Sequence, residues 1–341
     1  MKRWTIYTAA SIFVGLIGAG GYLYDKYEPN HYFKRLEVPV LSTPSVAVQP
    51  SPLLVNPGTQ DTNIQAIPDA TPKESSTQDK VIKAFNVLIL GLDAREGESS
   101  RSDVIMVMHV IPSAHKVNLI SIPRDTRVNI EGVGYTKINH AHILGELKGG
   151  NEEGTKEAIQ AVSNFLQVPV NYYVKTNFAG FENIIDAVGG VDVELEHTIN
   201  LPDIDTTLSQ GKQHINGKIA LSLARERYSM PNGDFDRQAE QSQILKNVAL
   251  KLLQPEHIGE IAALLPKVKK DIQDTNFQDN DLISLAWLFK GMTEDDFTYR
   301  QIPGVSGYEL DPLVQMRLYY WLPDMTAVKE LRENFLEEKS S

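Results

Sequence analysis

The chain is 341 residues long, which is enough for one large domain or two of ordinary size. It has 33 basic and 44 acidic residues, a net charge of −11 at pH 7, which excludes a nucleic-acid-binding surface extending over the whole chain. Hydrophobic residues make up 42% and charged residues 23%, a composition typical of a globular protein with a sizeable core. There is no cysteine, which excludes thiol catalysis, disulfides and cysteine-bound zinc.

The N-terminal region contains an apolar run without charge. It extends over 21 residues from Trp4 to Tyr24, close to the ~20 that a helix needs to cross a bilayer. Aromatic side chains at both ends favour the two membrane interfaces. We therefore predict that residues 1–27 form a short cytoplasmic tip and one transmembrane anchor. The alternative is a cleaved signal peptide, because the small residues Gly18 to Gly20 would suit a signal peptidase.

A segment unsuited to a hydrophobic core follows the apolar run. Between Val38 and Lys80 there are seven prolines and no aromatic residue, together with many Ser, Thr and Gln. This composition predicts a flexible extracytoplasmic tether over residues 28–82. The Val and Leu residues within 38–55 leave a second interpretation open, a short strand or a partner-binding segment.

Apolar strands alternate with amphipathic helices from Ala84 onwards. Phe85 to Leu92 is a short apolar run typical of a strand buried on both faces. Further strands are predicted at 104–110, 117–122, 172–176, 191–195 and 297–302, and helices at 155–165, 178–188, 236–253 and from Met325. This alternation predicts an α/β fold for residues 83–338, an α-β-α sandwich with a mixed central sheet covered by helices.

Arginine is concentrated in the middle of the chain. Seven of the twelve arginines lie between positions 95 and 237 of this acidic protein. Guanidinium groups bind phosphate oxygens with a two-pronged geometry, so several converging arginines would suit a diphosphate. The alternative is a set of surface ion pairs with Asp125, Glu226 and Asp236. The seven residues are Arg95, Arg101, Arg124, Arg127, Arg225, Arg227 and Arg237.

Two of these arginines, Arg225 and Arg227, are two positions apart. This spacing puts both side chains on one face of an extended segment but on opposite sides of a helix. Both can therefore meet one ligand if the chain leaves its helix before Arg225. Arg237 lies in the first turn of the predicted helix 236–253, where the free N–H groups and the helix dipole also favour an anion.

Two aspartates lie at the ends of neighbouring predicted strands. Asp93 follows the first strand and Asp103 precedes the second, so adjacent strands would bring both carboxylates to one end of the sheet. Oxygen ligands of this kind suit a hard cation, Mg²⁺ before Ca²⁺. The alternative is that Asp93 caps a turn and Asp103 pairs with Arg101. A weaker metal candidate is His140 with His142, which would share a face on a strand but have no evident third ligand.

Seven short segments occur in one order along the chain. They are Gly91 to Arg95, Arg101 to Met106, Ser121 to Thr126, Lys137 to Asn139, Ala187 to Val193, Ala224 to Arg227 and Gly233 to Gln238. Together they resemble the successive signatures of the LytR-CpsA-Psr family. The resemblance is strong over 85–253 and looser over 275–304, and a membrane anchor with a tether is usual for that family.

The resemblance implies a single-pass phosphotransferase of the cell membrane, with its catalytic domain on the extracytoplasmic side. Such an enzyme moves a glycopolymer, for example teichoic acid or capsule, from a polyprenyl-pyrophosphate carrier to peptidoglycan through a phosphodiester bond and releases polyprenyl phosphate. The implied partners are the lipid-linked glycopolymer, peptidoglycan and the membrane, with no nucleic acid. Two alternatives are a polyprenyl-pyrophosphate hydrolase and a non-catalytic lipid-binding or regulatory envelope protein.

The resemblance also implies roles for individual residues. The catalytic group would be Arg101, Arg124, Arg225, Arg227, Arg237 and Asp103. Pyrophosphate or sugar would be bound by Arg95, Lys137, Asn139 and Gln241. The implied cofactor is Mg²⁺, or Mn²⁺ in its place, held by Asp93 and Asp103. The group that accepts the proton of the attacking hydroxyl is left open: Asp103 or Asp93 could do so, unless both hold the metal.

Overall fold

The computed structural model describes residues 21–26, 28, 32, 38–45, 83–93, 101–226, 234–252 and 261–337. The predicted transmembrane run from Trp4 to Tyr24 lies outside these residues except at positions 21–24. Within the described ranges, no helix has the length and apolar character needed to cross a bilayer.

Strands and helices alternate along most of the described chain. The strands are β1 (Phe85–Leu92), β2 (Ser102–Ile111), β3 (Lys116–Ser121), β4 (Arg127–Ile130), β5 (Gly134–Lys137), β6 (Tyr172–Asn177), β7 (Val191–Leu195), β8 (Ile199–Leu201), β9 (Thr206–Leu208), β10 (Gly211–Ile215), β11 (Asp274–Thr275), β12 (Phe297–Gln301), β13 (Gly304–Asp311) and β14 (Met316–Pro323). The helices are α1 (His140–Leu166), α2 (Phe178–Ala187), α3 (Gly217–Arg225), α4 (Asp234–Leu252), α5 (Ile261–Asp271), α6 (Asp279–Phe289) and α7 (Met325–Phe335). Each strand and helix predicted from Ala84 onwards overlaps an observed one.

Six strands form a mixed central sheet in the order β11-β6-β1-β2-β3-β12. β1 is antiparallel to β2 and parallel to β6, and β12 is parallel to β3. Alternate residues of β1 enter different cores: Leu88 and Leu90 pack with residues of α1 and α7, whereas Val87 packs with residues of α6. The prediction of an α/β fold with a mixed central sheet covered by helices is therefore confirmed.

The register between β1 and β2 brings the two predicted metal ligands to the same edge of the sheet. Gly91 pairs with Val104, the register then shifts by one residue, and the backbone N–H of Asp93 donates to the Arg101 carbonyl at 3.2 Å. β3 runs back to the same edge and ends three residues before Arg124. This edge therefore collects residues from three separate sequence segments.

Two hairpins that were not predicted extend the structure beyond this edge. β4 pairs with β5, and β13 pairs with β14. Thr126, just before β4, forms a parallel bridge with Trp321 of β14, and the Trp321 N–H donates to the Asp125 carbonyl at 2.9 Å. The β13–β14 hairpin is thus attached to the loop that carries Arg124.

Part of the predicted tether packs against the domain. Ser42 forms an antiparallel bridge with Val170, and its Oγ donates to Gln160 Oε1 at 2.9 Å. The Ser45 N–H donates to Asn164 Oδ1 at 2.8 Å. The flexible-tether prediction is therefore wrong for residues 38–45, because hydrogen bonds attach them to α1 and to the segment before β6. For the alternative of a short strand within 38–55, the structure shows only the single β-bridge between Ser42 and Val170 in the described residues 38–45.

Earlier residues also contact the domain, at α6. The Tyr24 ring meets the Trp287 ring edge to face, with centroids 5.5 Å apart. The Tyr32 hydroxyl donates to Asp281 Oδ1 at 2.6 Å. Described residues before position 37, as well as residues 38–45, therefore contact the domain.

Burial of His109 makes the stability of the domain depend on pH. The side chain is 3% exposed, and its Nδ1 lies 2.8 Å from Asn86 Oδ1. Burial lowers the pKa of His109 from 6.5 to about 4, because the charged imidazole would lose its hydration. The unfolded chain therefore takes up a proton at a higher pH than the folded chain. Stability should be intact above pH 6.5 and fall between pH 6.5 and 4, by up to ~3 kcal/mol.

We expect His109→Gln, which keeps a donor for Asn86, to remove most of this acid-side loss. Urea unfolding at several pH values between 7 and 4 measures the free energy of unfolding directly. His115→Gln is the matched control, because His115 is exposed. If the free energy of unfolding changed equally with pH in His109→Gln and in the unmodified chain, His109 would not be the source of the acid-side loss of stability.

Candidate active site

A network of ion pairs lies where β2 begins and β3 ends. Arg124 Nη1 is 2.5 Å from Asp103 Oδ1, and Arg124 Nε is 3.7 Å from Asp125 Oδ2. Asp125 Oδ1 is in turn 2.6 Å from Lys137 Nζ. These four side chains are only 17–20% exposed. The structure thus joins three predicted site residues, and Asp103 pairs with Arg124 where the sequence suggested Arg101 as its alternative partner.

The start of α1 is fixed against the Arg124 loop. The Asn139 N–H donates to the Arg124 carbonyl at 3.2 Å, and the Ile138 N–H donates to the Thr126 carbonyl at 2.9 Å. The Asn139 side chain is 5% exposed, and its Oδ1 has no hydrogen-bond partner in the part of the chain that the structure describes. Asn139 therefore offers an acceptor beside the ion pairs.

Arg225 is the last residue of α3, and the next residue, Glu226, is extended. The condition considered from the sequence, that the chain leaves its helix before Arg225, is therefore not met, since the helix includes Arg225. The exposed Arg225 guanidinium lies over the Phe178 ring, 4.8 Å from its centroid. Because Phe178 directly follows β6, this contact holds Arg225 at the same edge of the sheet. Arg95 and Arg227 lie outside the described residues.

The first turns of α4 connect α3 to the central sheet. Arg237 and Gln241 are 4% and 8% exposed and lie one turn apart. Gln241 Nε2 donates to the Ala224 carbonyl at 2.7 Å, next to Arg225. Gln238 Oε1 accepts a hydrogen bond from Ser121 Oγ, at the end of β3, at 2.6 Å. These bonds place Arg237 between the end of α3 and the Arg124 loop.

An apolar cavity of about 380 Å³ lies between the central sheet and helices α2 to α6. The polar residues Asp103, Arg225, Arg237 and Gln241 form its wall at the edge of the sheet. Most of the remaining wall is hydrophobic and includes Ile89, Met106, Leu119, Phe181, Leu282 and Phe289. The cavity therefore combines a long apolar interior with guanidinium and carboxylate groups at one end.

The oxygen donors at this edge fit a magnesium ion. Asp93 is exposed beside Arg101, and Asp103 belongs to the cavity wall. Over the described ranges, no three His, Cys, Asp or Glu residues cluster closely enough to hold a metal by themselves. One or two carboxylates completed by water and phosphate oxygens are the usual ligands of Mg²⁺. The donor set thus suits a metal that arrives with a phosphorylated substrate.

The alternative metal pair, His140 with His142, is wrong. Both residues lie in the first turn of α1, where positions two apart point about 200° away from each other around the helix. The His142 side chain is fully buried, with Nδ1 3.8 Å from Glu146 Oε2. His140 instead contacts Thr136, with Nδ1 2.8 Å from Thr136 Oγ1.

Two residues of this arrangement were not predicted as site residues. Asp125, which the sequence offered only as a surface ion-pair partner, bridges Arg124 and Lys137, and Gln238 attaches α4 to β3. Each lies next to a predicted arginine inside one of the seven recognised segments. Their position in those segments was the available signal, but their partners depend on the tertiary fold.

Known proteins share both the sequence pattern and the fold. The sequence model of the LytR_cpsA_psr family matches residues 56–336. The polyisoprenyl-teichoic acid–peptidoglycan teichoic acid transferase TagV of Bacillus subtilis (strain 168) is 32% identical over 265 residues, 75% of this chain and 64% of that protein. The transferase TagU of Bacillus mycoides (strain KBAB4), of the same description, is 34% identical over 242 residues, 70% of this chain and 74% of that protein.

Solved structures give the same result. The crystal structure of B. subtilis TagV has a TM-score of 0.64 at 32% identity and covers 74% of this chain and 96% of that chain. The crystal structure of B. subtilis TagU has a TM-score of 0.55 at 29% identity and covers 76% and 99%. The chain spans slightly less than two thirds of the full TagV length, 64%. The extent of the family match, together with this shared fold, shows that the chain belongs to the LytR_cpsA_psr family.

Proposed function

We propose that this chain is a phosphotransferase that moves a teichoic acid-type glycopolymer from a polyprenyl-pyrophosphate carrier to peptidoglycan through a phosphodiester bond. The observation that carries the proposal is the apolar cavity that ends at Asp103, Arg225 and Arg237. A ligand with a long hydrocarbon tail and a diphosphate head matches both parts of this site. The names of TagV and TagU, which describe teichoic acid transferases, support the same substrate class.

The apolar interior would hold the polyprenyl tail. Each methylene group moved from water into such an interior contributes about 0.8 kcal/mol. The tail therefore supplies binding energy far from the reacting phosphorus. The diphosphate is consequently placed at the sheet edge without any need for specific contacts along the tail.

The arginines would bind the diphosphate at the sheet edge. Arg225 and Arg237 lie in the cavity wall, and Arg124 lies next to them through its ion pair with Asp103. Fixed guanidinium groups stabilise negative charge as it develops on a leaving phosphate, because they need not reorganise during the reaction. Asp93 and Asp103 would hold Mg²⁺, which would supply further positive charge to the diphosphate.

In the proposed reaction, a hydroxyl of peptidoglycan attacks the phosphorus that carries the glycopolymer. The bond between this phosphorus and the bridging oxygen breaks, and the electron pair leaves on polyprenyl phosphate. Arg101 is bonded through its carbonyl to Asp93, Asn139 through its N–H to Arg124, and Lys137 to Asp125; their side chains would orient the sugar and phosphate groups. Catalysis is then mostly a matter of position and charge, as is general for phosphoryl transfer.

The proposal includes a location. The apolar run from Trp4 to Tyr24 would anchor the chain in the cell membrane, with the catalytic domain outside the cytoplasm. Both proposed substrates support this location, because a polyprenyl carrier resides in the membrane and peptidoglycan lies outside it. Protease treatment of intact cells should therefore reach the catalytic domain.

The direct experiment uses the full chain in detergent with a synthetic polyprenyl-pyrophosphoryl oligosaccharide, Mg²⁺ and peptidoglycan fragments. Mass spectrometry should find an oligosaccharide–peptidoglycan phosphodiester together with polyprenyl phosphate. Free phosphorylated oligosaccharide without the adduct would show a hydrolase instead. If neither product forms, the chain is not a transferase for this class of donor.

We expect Arg225→Ala to lower the transfer rate by about 10² to 10³, the usual loss when a preorganised donor to developing charge is removed. Lysine at position 225 should restore little, because it lacks the two-pronged geometry. Arg300→Ala is a matched control, since Arg300 is also exposed and its guanidinium lies 4.9 Å from the Phe335 ring centroid, away from the cavity wall. Equal transfer rates for the two alanine variants would show that Arg225 does not bind the diphosphate.

We expect Ala286→Phe to raise the KM for a long-chain donor by at least about tenfold. Ala286 lies in the cavity wall on α6, and a phenyl ring there would exclude several methylene groups worth about 0.8 kcal/mol each. The KM for a donor with a short prenyl chain should change much less. Ala327→Phe on α7 is the control, because Ala327 is outside the cavity wall. An equal effect on long and short donors would place the tail elsewhere.

A further inference from the structure

A hydrogen-bonded chain lies behind His140, the first residue of α1. Thr136 Oγ1 donates to Asp311 Oδ2 at 2.8 Å, and the Tyr320 hydroxyl donates to the same oxygen. Asp311 also accepts from the backbone N–H of Leu313, at 2.8 Å through Oδ1. The Thr136, Asp311 and Tyr320 side chains are fully buried. The β13–β14 hairpin thus delivers a buried carboxylate to the side of the candidate active site.

The hydrogen bonds of Thr136 fix the tautomer of His140. The single hydroxyl proton of Thr136 goes to Asp311, so Thr136 Oγ1 can only accept from His140 Nδ1, which lies 2.8 Å away. The Nδ1 atom therefore carries the ring proton, and Nε2 carries a lone pair. Within the described residues, Nε2 makes no hydrogen bond. The arrangement resembles the way in which a buried acceptor orients a catalytic imidazole.

His140 belongs to the same site as the arginines. The preceding residue, Asn139, bonds the Arg124 carbonyl through its backbone N–H at 3.2 Å. The half-buried imidazole faces the charges of Arg101, Lys137, Asp125 and Asp311. It therefore lies within the field of the groups proposed to orient the acceptor.

The surroundings keep His140 neutral. Burial is the largest effect and lowers the pKa of His140 below 6.5, and the positive charges of Arg101 and Lys137 lower it further. Asp311 and Asp125 oppose this change but do not cancel it. For Asp311, burial alone would raise the pKa, but hydrogen bonds from Tyr320, Thr136 and the backbone outweigh burial and lower it. The imidazole is thus unprotonated at pH 7 while its supporting carboxylate is ionised.

We propose that His140 Nε2 is the general base that takes the proton of the attacking hydroxyl. The proposal rests on the proposed transferase function and adds the proton acceptor to it. As the acceptor oxygen bonds to the glycopolymer phosphorus, its proton moves to Nε2, and the bond from phosphorus to the bridging oxygen breaks. The electron pair leaves on polyprenyl phosphate, and the imidazolium later returns its proton to solvent.

The carboxylates at the sheet edge are poorer candidates for this role. Asp103 is engaged with Arg124 at 2.5 Å, and both it and Asp93 are proposed metal ligands. Asp125 already pairs with Lys137 at 2.6 Å. His140 Nε2 carries a basic lone pair and takes no part in these ion pairs, so it can accept a proton.

The test measures release of polyprenyl phosphate and formation of the peptidoglycan adduct separately, between pH 5 and 8.5. It uses the full chain with the synthetic donor described above. Release reports the base whether the acceptor is a sugar or water, whereas the adduct reports the proposed function. His140→Gln and His140→Ala are compared with His214→Gln, since His214 is 57% exposed on β10.

We expect both His140 variants to lose about 10² or more in the release rate at pH 7.5, with the KM for the donor within about twofold of the unmodified value. The release rate of the unmodified chain should fall as the pH decreases below 6.5, which is the acid limb of its pH–rate profile. The His140 variants should lack this acid limb. Added imidazole should partly restore His140→Ala. His214→Gln should behave as the unmodified chain.

Thr136 tests the supporting role without changing the base itself. Thr136→Val removes the hydroxyl that bonds both His140 and Asp311, and it should lower the rate and displace the acid limb. Thr136→Ser keeps the hydroxyl and should restore both properties. Unchanged folding of each variant is checked by its melting temperature.

Three results would overturn the proposal. The first is a His140→Gln release rate within about threefold of the unmodified chain. The second is a rate loss that leaves the acid limb in place and is not restored by imidazole, which indicates a structural role. The third is a rate that rises as the pH falls, which indicates a cationic imidazole. Release of polyprenyl phosphate without formation of the peptidoglycan adduct would refute the transferase function. The pH dependence of that release would still test whether His140 is the general base.

Discussion

The close approach of β1 and β2 at Gly91 is the constraint on which the rest of the site depends. A Cβ atom at Gly91 would lie 2.9 Å from the Cβ of Val104, so only glycine allows this separation of the two strands. Directly after this point the register shifts, and the backbone bonds Asp93 to the Arg101 carbonyl. A wider spacing would move Asp93 away from Asp103. It would also open the wall of the cavity, to which Gly91 and Val104 both belong.

The two faces of the central sheet serve different purposes. The face toward α1 and α7 is filled by a hydrophobic core that includes Leu88, Ile105 and Ile120. The opposite face leaves space between the sheet and α4, although hydrogen bonds from Gln238 to Ser121 and from Gln241 to Ala224 attach the start of α4 to β3 and to α3. Interiors are normally packed to crystal-like density, so an apolar space of about 380 Å³ indicates a ligand more than an imperfect core.

The sequence predicts the parts of this structure that depend on local pattern. Apolar runs identify the central strands, and the positions of Asp93 and Asp103 at strand ends follow from them. The first half of α1 escaped prediction because Gly149 and Gly150 interrupt the helical pattern. The support of His140 escaped because Thr136 and Asp311 are 175 residues apart and meet only through the β13–β14 hairpin. The cavity likewise needs walls from many distant segments, which no single window of sequence contains.

The packing of the N-terminal residues changes what the proline-rich segment can do. Residues 38–45 are attached to the domain, and the chain re-enters the domain at β1, so both ends of the segment 46–82 are fixed to the same body. The number of residues in 46–82 therefore does not set the distance between the bilayer and the domain in an anchored chain. In the proposed anchored chain, the distance between the bilayer and the domain is set by the contact between Tyr24 and Trp287 on α6. This helix also lines the cavity. Insertions or deletions within 46–82 would then leave the distance from the bilayer to the cavity unchanged.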